Sequence, residues 1–252
     1  MRMKRVTKLR ILVLIVTFAV VELLCQFGVI ARFTMIPPSE MVIGIVGLLW
    51  SGKIKGDMAT TLSSVGIALV TSVTVGFVAG ALIHQFRRVR RTIDPLLATY
   101  YSVPVFVFYP IFIVLFGLTD IPKIVIGFLY AVAAVVINTL NGLDRIPPVL
   151  VKTGRILGMS RVDIARRIVL PFAAPYLFTG VKLAIAYSFI GVIGSEFILS
   201  SRGLGHSISY AYHNFDNLTM YSLILFILTL VLAINMTLHS WEKKLMQRRG
   251  FA

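Results

Sequence analysis

Long apolar runs alternate with short polar segments along the whole chain. Each run can cross a hydrocarbon core of about 30 Å as a helix, which takes about 20 residues. The pattern therefore predicts an all-α integral membrane protein with six transmembrane helices. The predicted spans are Leu9–Ile30, Thr61–His84, Leu96–Leu118, Ile121–Leu140, Phe172–Leu199 and Met220–Ser240.

The segment between the fourth and fifth predicted spans is longer and more basic than a connecting turn requires. This segment, residues 149–171, is divided by Gly158, and glycine readily adopts the left-handed conformation that commonly ends a helix. We therefore predict a first short helix at Val149–Leu157 and a second one after the glycine.

Residue types at both ends of the second short helix support this prediction. Ser160 and Asp163 have the spacing of a capping box, in which side chains satisfy the free N–H groups of a helix start. The second helix is expected to stop at Leu170-Pro171, because proline donates no backbone hydrogen bond.

Small residues recur at steps of three and four in two of the predicted spans. Such stripes let the backbones of neighbouring membrane helices approach closely, so we interpret both as packing faces. They are Ser72, Gly76, Gly80 and His84 in the second span, and Gly180, Ala184, Tyr187, Gly191 and Gly194 in the fifth.

Two more helices are expected on the side of the membrane that carries few basic residues. The segment from Pro37 to Trp50 predicts a helix at the interface, with Trp50 as its aromatic anchor. The segment His206–Asn217, which follows a turn at Gly203–Gly205, predicts the other.

Prolines and aromatic residues are concentrated in the third predicted span. A proline inside a membrane helix frees backbone carbonyls, which must face protein or a wet cavity. One interpretation is an aromatic-lined translocation path, and the other is a kinked helix with its rings in lipid and core. The candidate path residues here and in neighbouring spans are Tyr100, Tyr101, Pro104, Phe108, Asn138, Tyr187, Ser195 and Glu196.

Two ionisable residues lie within the fifth predicted span. Glu196 is near its outer end, and carboxylates at membrane depth are costly unless they are solvated or paired. It is either a helix-end carboxylate in contact with external water or a residue that lines the path or a gate. Lys182 is expected to extend its side chain to the cytoplasmic interface.

Composition and charge agree with a membrane protein. The chain is 58% hydrophobic and 14% charged, whereas soluble domains carry about 25% charged residues. Nineteen of its 25 Lys and Arg residues lie at the two termini, after the second span, or between the fourth and fifth spans. Because cytoplasmic loops are enriched in these residues, both termini and the 149–171 loop are predicted to be cytoplasmic. This placement explains the net charge of +15 without a nucleic-acid partner.

The motifs of catalysis and cofactor binding are missing from the sequence. The segment Gly47–Lys53 fits the first seven positions of a phosphate-binding loop, but Ile54 replaces the hydroxyl that would bind magnesium. The four histidines form no pattern typical of a metal site, so we expect no cofactor, metal or enzyme activity on this chain. Six spans without catalytic groups are typical of a conduit.

The loop resembles the cytoplasmic EAA loop in the membrane subunits of bacterial ABC importers. In that pattern a Leu-Pro follows a glycine, with the proline thirteen residues after it, and Gly158 and Leu170-Pro171 match this spacing. The chain departs from the pattern at the front, where Lys152-Thr153-Gly154 replaces Glu-Ala-Ala.

Residues 58–241 resemble, more specifically, the nitrate/sulfonate/taurine/bicarbonate permease group. The resemblance is carried by Asp94-Pro95, Pro104, Phe116-Gly117, Asn138-Thr139, Gly142, Pro171–Pro175, Thr179–Lys182, Ser195-Glu196 and Gly203–Gly205.

The resemblance implies a type I ABC importer permease, with one transmembrane domain over residues 1–252 and an N-terminal span at 9–30. It also implies a homodimer in the bacterial inner membrane, two cytoplasmic ATPase subunits that bind ATP and Mg, and an external substrate-binding protein. The loop would be a coupling helix, with Met159, Val162, Ala165 and Ile168 as an apolar contact surface. The implied coupling residues are Lys152, Arg155, Gly158, Met159, Ser160, Arg161, Val162, Asp163, Ala165, Arg166 and Pro171.

Other functions remain open at this point. The substrate expected from the resemblance is a small organic or inorganic anion, and the alternative is a heterocyclic vitamin or its precursor. A stand-alone secondary transporter or channel would show an internal repeat or paired intramembrane charges, and neither is evident in the sequence. A structural membrane scaffold would bind no ATPase.

Overall fold

A computed structural model describes the backbone of residues 2–248, with side chains for all of these except 2–8, 10, 11, 14, 87 and 243–248. The basic residues of the two termini that entered the orientation prediction therefore lie outside the described side chains. Every regular element in the described range is helical. The α-helices are α1 Arg2–Gln26, α2 Pro38–Ser51, α3 Lys55–Gln85, α4 Arg87–Tyr100, α5 Tyr109–Phe116, α6 Ile121–Asp144, α7 Pro148–Ile156, α8 Arg161–Ile164, α9 Leu170–Leu199, α10 Leu204–His213 and α11 Asn217–Arg248.

Four helical segments in the described residues are long and apolar enough to cross a membrane. They include α3, α6, α9 and α11, and thus confirm the second, fourth, fifth and sixth predicted spans. The apolar part of α1 that the structure describes, Ile15–Gln26, is shorter than a bilayer crossing. The first span therefore stays a prediction.

The third predicted span is wrong as a continuous helix. Helix α4 and the segment Val105–Phe116 meet at about 90°, and a 3₁₀ turn at Val105–Phe108 leads from the break into α5. Pro104 lies at the break. It has no N–H to donate, and its ring disfavours the helical conformation of the residue before it. The helix is therefore broken at this point.

The centre of the molecule is formed by α3, α6 and α9, which contact one another. Gly127 of α6 and Gly191 of α9 meet backbone to backbone, so closely that a Cβ on Gly191 would overlap the Cα of Gly127. On the other side of α6, Gly76 of α3 lies against Val135 and Gly80 lies against Thr139. Both small-residue stripes are thus confirmed as packing faces, although His84, at the end of the first, is exposed.

The helices α2 and α10 pack around the start of α11. Ile54, Leu204, Ile208 and Leu223 form a buried cluster between these elements. The helix predicted from Pro37 to Trp50 corresponds to α2, and Trp50 is exposed as an interface anchor would be. Helix α10 begins at Leu204, slightly earlier than predicted, and ends at His213.

The close approach of α6 and α9 predicts the effect of one added methyl group. Gly191→Ala should lower the midpoint of thermal unfolding in detergent by several degrees, because overpacking costs about 1–3 kcal/mol. The matched control is Gly66→Ala on α3, since a Cβ at Gly66 meets no atom within 4 Å. Equal midpoints for the two variants would contradict the packing described for Gly191.

Candidate functional site

The loop at residues 149–171 forms a helical hairpin, which we call the cytoplasmic hairpin after the orientation that the charge pattern predicts. Helix α7 ends at Ile156, and Gly158 follows with a φ of 72°, in the left-handed region that glycine accepts. Ser160 caps α8, since its Oγ accepts a hydrogen bond from the Asp163 N–H at 3.1 Å. The predicted break and the predicted cap are both confirmed.

The hairpin does not stop at Pro171, so that prediction is wrong. A π-helical turn at Ala165–Val169 connects α8 to α9, and the Leu170 N–H bonds to the Ala165 carbonyl. Pro171 then lies in the first turn of α9, directly after the π-helical turn, and does not interrupt the helix. The second helix of the hairpin and the fifth span are therefore continuous from Arg161 to Leu199.

The apolar surface of the hairpin differs from the predicted one. Met159 and Ile168 are half-buried, because both side chains pack close to Gly154 on α7. Val162 is exposed as predicted. The most exposed apolar side chains lie at the tip of α7, where Ile156 is 85% and Leu157 is 73% exposed.

A groove of about 570 Å³ lies between α7 and the π turn. Arg155 and Arg161 are at its edge, and both are exposed. Its other lining residues are Val151, Met159, Ile164, Ala165 and Val169. Lys152 and Arg166 are exposed as well. The hairpin thus combines an apolar tip with a basic groove.

Three predicted path residues meet where the third span breaks. The rings of Tyr100 and Tyr101 are in edge contact at 5.9 Å, and Tyr101 lies 5.6 Å from Tyr187 of α9. The Tyr100 hydroxyl donates to the Leu129 carbonyl at 2.6 Å, about one third of the way along α6. We call these three residues the tyrosine cluster.

The remaining path candidates are not part of the tyrosine cluster. Pro104 and Phe108 are exposed beyond the break. Asn138 packs against Gly180, and its amide donates to the Ala134 carbonyl one turn earlier. Ser195 is fully buried, and its hydroxyl likewise bonds within its own helix, to the Gly191 carbonyl.

Glu196 is buried, so the interpretation as a helix-end carboxylate in external water is wrong. Its exposed fraction is 0%, and its Oε1 lies 3.1 Å from Nζ of Lys123, which is 1% exposed. Oε2 accepts from the Thr61 hydroxyl at 2.8 Å and from the Gly205 N–H at 3.1 Å. Buried charges are stable when they are paired and hydrogen-bonded in this way.

The pair continues toward the surface as a line of alternating charges. Lys123 Nζ is also 2.9 Å from Asp120 Oδ1, and Asp120 Oδ2 is 2.6 Å from Arg202. Burial raises the pKa of the Asp120 carboxyl, but hydrogen bonds and charge from Lys123 and Arg202 lower it by more, so it lies below its ordinary value. We call Arg202, Asp120, Lys123 and Glu196 the external charge network, after the side of the membrane that the charge pattern predicts for it.

The turn at Gly203–Gly205 holds α10 against this network. The Gly203 N–H donates to Asp57 at 2.9 Å, and the Leu204 N–H donates to the Thr61 hydroxyl at 2.8 Å. A Cβ on Gly203, whose φ is 112°, would overlap the Glu196 carboxylate. The network therefore connects α3, α6, α9 and α10.

Sequence reasoning missed Lys123. A signal was present, because a lysine one turn into an apolar helix and three residues after Asp120 needs a partner at membrane depth. Lys182 pairs with Glu242, which follows the sixth predicted span on α11, at 2.5 Å.

The external charge network predicts unequal effects when its members are neutralised. Lys123→Met should destabilise the protein by about 3–5 kcal/mol, because it leaves a buried carboxylate unpaired. Glu196→Gln should destabilise the protein less, because Lys123 keeps its ion pair with Asp120. Adding Glu196→Gln to Lys123→Met should recover part of the loss, as measured by unfolding in detergent. Strictly additive losses in this double-mutant cycle would contradict the pairing.

Comparisons with known proteins agree with this arrangement of helices. The chain is 26% identical to a putative aliphatic sulfonates transport permease of Bacillus subtilis, over 77% of this chain and 70% of that one. It is 29% identical to a nitrate import permease of Leptolyngbya laminosa, over 68% of this chain and 59% of that one. Its fold is similar to a chain in an inward-facing structure of the MetNI methionine ABC transporter, with a TM-score of 0.66, 19% identity, and coverage of 79% and 97%.

A family match covers residues 72–249, from the middle of α3 past the end of α11. This range includes the cytoplasmic hairpin, the tyrosine cluster and three of the four confirmed spans in full. The chain belongs to the family of binding-protein-dependent transport system inner membrane components.

Proposed function

We propose that this chain is the permease subunit of an ATP-driven importer that takes up a small anion. The observation that carries the proposal is the cytoplasmic hairpin, which presents an apolar tip and a basic groove and is helically continuous with the fifth span. Such a projection suits a protein partner better than lipid alone, because a connecting turn would suffice between two spans.

Energy would enter through the hairpin. ATP would be hydrolysed, with Mg, on two separate ATPase subunits, and the hairpin would seat in a groove of each ATPase. Leu157 and Ile156 would fill an apolar pocket, while Arg155 and Arg161 would meet acidic residues of the partner. Lys152, Met159, Ser160, Val162, Asp163, Ala165, Arg166 and Pro171 complete the proposed coupling segment.

The membrane part would work as a homodimer with six spans in each copy and with both termini in the cytoplasm. The broken third span supports a path near the tyrosine cluster, because irregular backbone at membrane depth is stable where it faces protein or a wet cavity. An external binding protein would deliver the solute near α2 and α10. Residues 1–252 would form one transmembrane domain, with the first span at 9–30.

The names of the relatives support an anionic substrate, since they refer to aliphatic sulfonates and nitrate. The tyrosine cluster favours a second candidate, a planar heterocyclic solute, which could stack on its rings. Uptake of labelled taurine, nitrate and a thiamine-type pyrimidine into proteoliposomes that hold the complete transporter separates the two classes.

The first test concerns the partners. The tagged chain, purified in mild detergent from cells that carry its gene, should co-purify with an ABC ATPase, and the complex should hydrolyse ATP. Purification of the chain as a homodimer with no ATPase and no ATP hydrolysis would overturn the proposal in favour of a stand-alone transporter or scaffold.

The coupling role predicts a sharp effect at the tip of α7. Leu157→Asp should reduce ATP-driven uptake at least tenfold and weaken ATPase binding, because a charge would enter the apolar contact. Val149→Asp is the matched control, since Val149 is an exposed apolar residue at the other end of α7. Both variants should elute as folded protein in size-exclusion chromatography. Normal uptake by the Leu157 variant would contradict the assignment.

A further inference from the structure

Helix α4 contacts α6 at two separate positions. At one end Arg90 binds Asp144, the last residue of α6, at 2.9 Å. At the other end the Tyr100 hydroxyl reaches the Leu129 carbonyl at 2.6 Å. These two positions on α6 are about 22 Å apart at 1.5 Å per residue. Helix α4 therefore extends from the Asp144 end of α6 toward the middle of α6.

One face of α4 is polar and exposed along this whole length. Residues at steps of three and four share a helix face, and the five residues of this face are Arg88, Arg91, Thr92, Pro95 and Thr99, all exposed. We call them the α4 polar face. The opposite side carries Ile93, Leu97 and Tyr100, which are half-buried.

The α4 polar face is poorly suited to lipid chains. Pro95 is inside the helix and donates no N–H to the Arg91 carbonyl one turn earlier. Within the described part of the chain, Arg88 and Arg91 make no ion pair, whereas Arg90 between them binds both Asp94 and Asp144. A carbonyl without a helical N–H partner and unpaired guanidinium groups are stable in contact with water or a polar partner.

The α4 polar face ends at the tyrosine cluster. Thr99 is the last residue of the face, and Tyr101 follows two residues later in contact with Tyr187. The polar side chains thus lead from the basic end of the molecule to the break in the third span.

We propose that the α4 polar face lines a water-filled cytoplasmic half of the translocation path, with Arg88 and Arg91 attracting an anionic solute at its mouth. This proposal rests on the proposed function and adds a lining, a direction and a charge preference. Two guanidinium groups at a confined entrance raise the local concentration of anions, since low-dielectric walls focus their field.

Accessibility to a thiol reagent tests the lining. Single cysteines are introduced by Thr92→Cys and Thr99→Cys in a chain whose buried Cys25 is replaced by alanine. In inside-out vesicles that hold the complete transporter, a membrane-impermeant, negatively charged methanethiosulfonate should modify both cysteines at least tenfold faster than a control cysteine facing lipid.

Val70→Cys is the matched control for Thr99→Cys. Val70 of α3 is exposed, and it lies at about the depth of Leu129, because Gly76 six residues later contacts Val135. Ile93→Cys on the opposite side of α4 controls for local opening of the helix. Rates for Thr92→Cys and Thr99→Cys no higher than those of the two controls would overturn the lining.

The charge preference is measured at the same cysteine. The ratio of modification rates for a negatively and a positively charged methanethiosulfonate at Thr92→Cys should fall at least threefold when Arg88→Gln and Arg91→Gln are added. Lys53→Gln with Lys55→Gln, which removes the same charge from exposed residues at the start of α3, should leave the ratio unchanged. An unchanged ratio in the arginine variant would overturn the proposal that Arg88 and Arg91 attract anions.

These labelling rates do not depend on transport. If the chain bound no ATPase or drove no uptake, the proposed function would be overturned, and rapid labelling of the α4 polar face would still support the inference about its lining. Unreactive cysteines in a complex that transports normally would remove only the inference about α4.

Discussion

Helices in a hydrocarbon solvent gain little from burying apolar side chains against one another, so close backbone contact decides which of them associate. The contact between Gly127 and Gly191 meets this condition, and Gly76 and Gly80 extend it to a third helix. The core of α3, α6 and α9 therefore depends on glycines, which have no side chain to hold the backbones apart. Once these helices are fixed, α10 and the external charge network have a frame to attach to.

The external charge network then fixes what apolar packing leaves undetermined. Small-residue stripes allow helices to slide or rotate, whereas Glu196 can reach Lys123, Thr61 and Gly205 in one register only. Buried polar groups with several partners specify geometry more than they add stability. The same network holds the turn that begins α10, so the placement of this external helix depends on a carboxylate in the membrane.

Local chemistry made much of the fold predictable, and distant partners made the rest unpredictable. The break at Gly158 and the cap at Ser160 depend on neighbours within a few residues, and sequence reasoning found both. The sequence alone did not show which prolines break a helix. Pro104 breaks its span, Pro171 is accommodated in a first helical turn, and which outcome holds depends on the packing around each. The position of Lys123 in an apolar helix indicates that it needs a partner, but no local pattern identifies Glu196, 73 residues away, as that partner.

The π-helical turn at Ala165–Val169 makes the hairpin and α9 a mechanical lever. Helix α9 has 30 residues and is about 45 Å long. A rotation of about 10° at the π turn would displace its far end by about 8 Å, more than one helical pitch of about 5.4 Å. That far end carries Glu196, and Gly191, five residues earlier, contacts the α6 backbone, so a rotation at the base of the hairpin would have to move α6 together with α9 or separate Glu196 from Lys123.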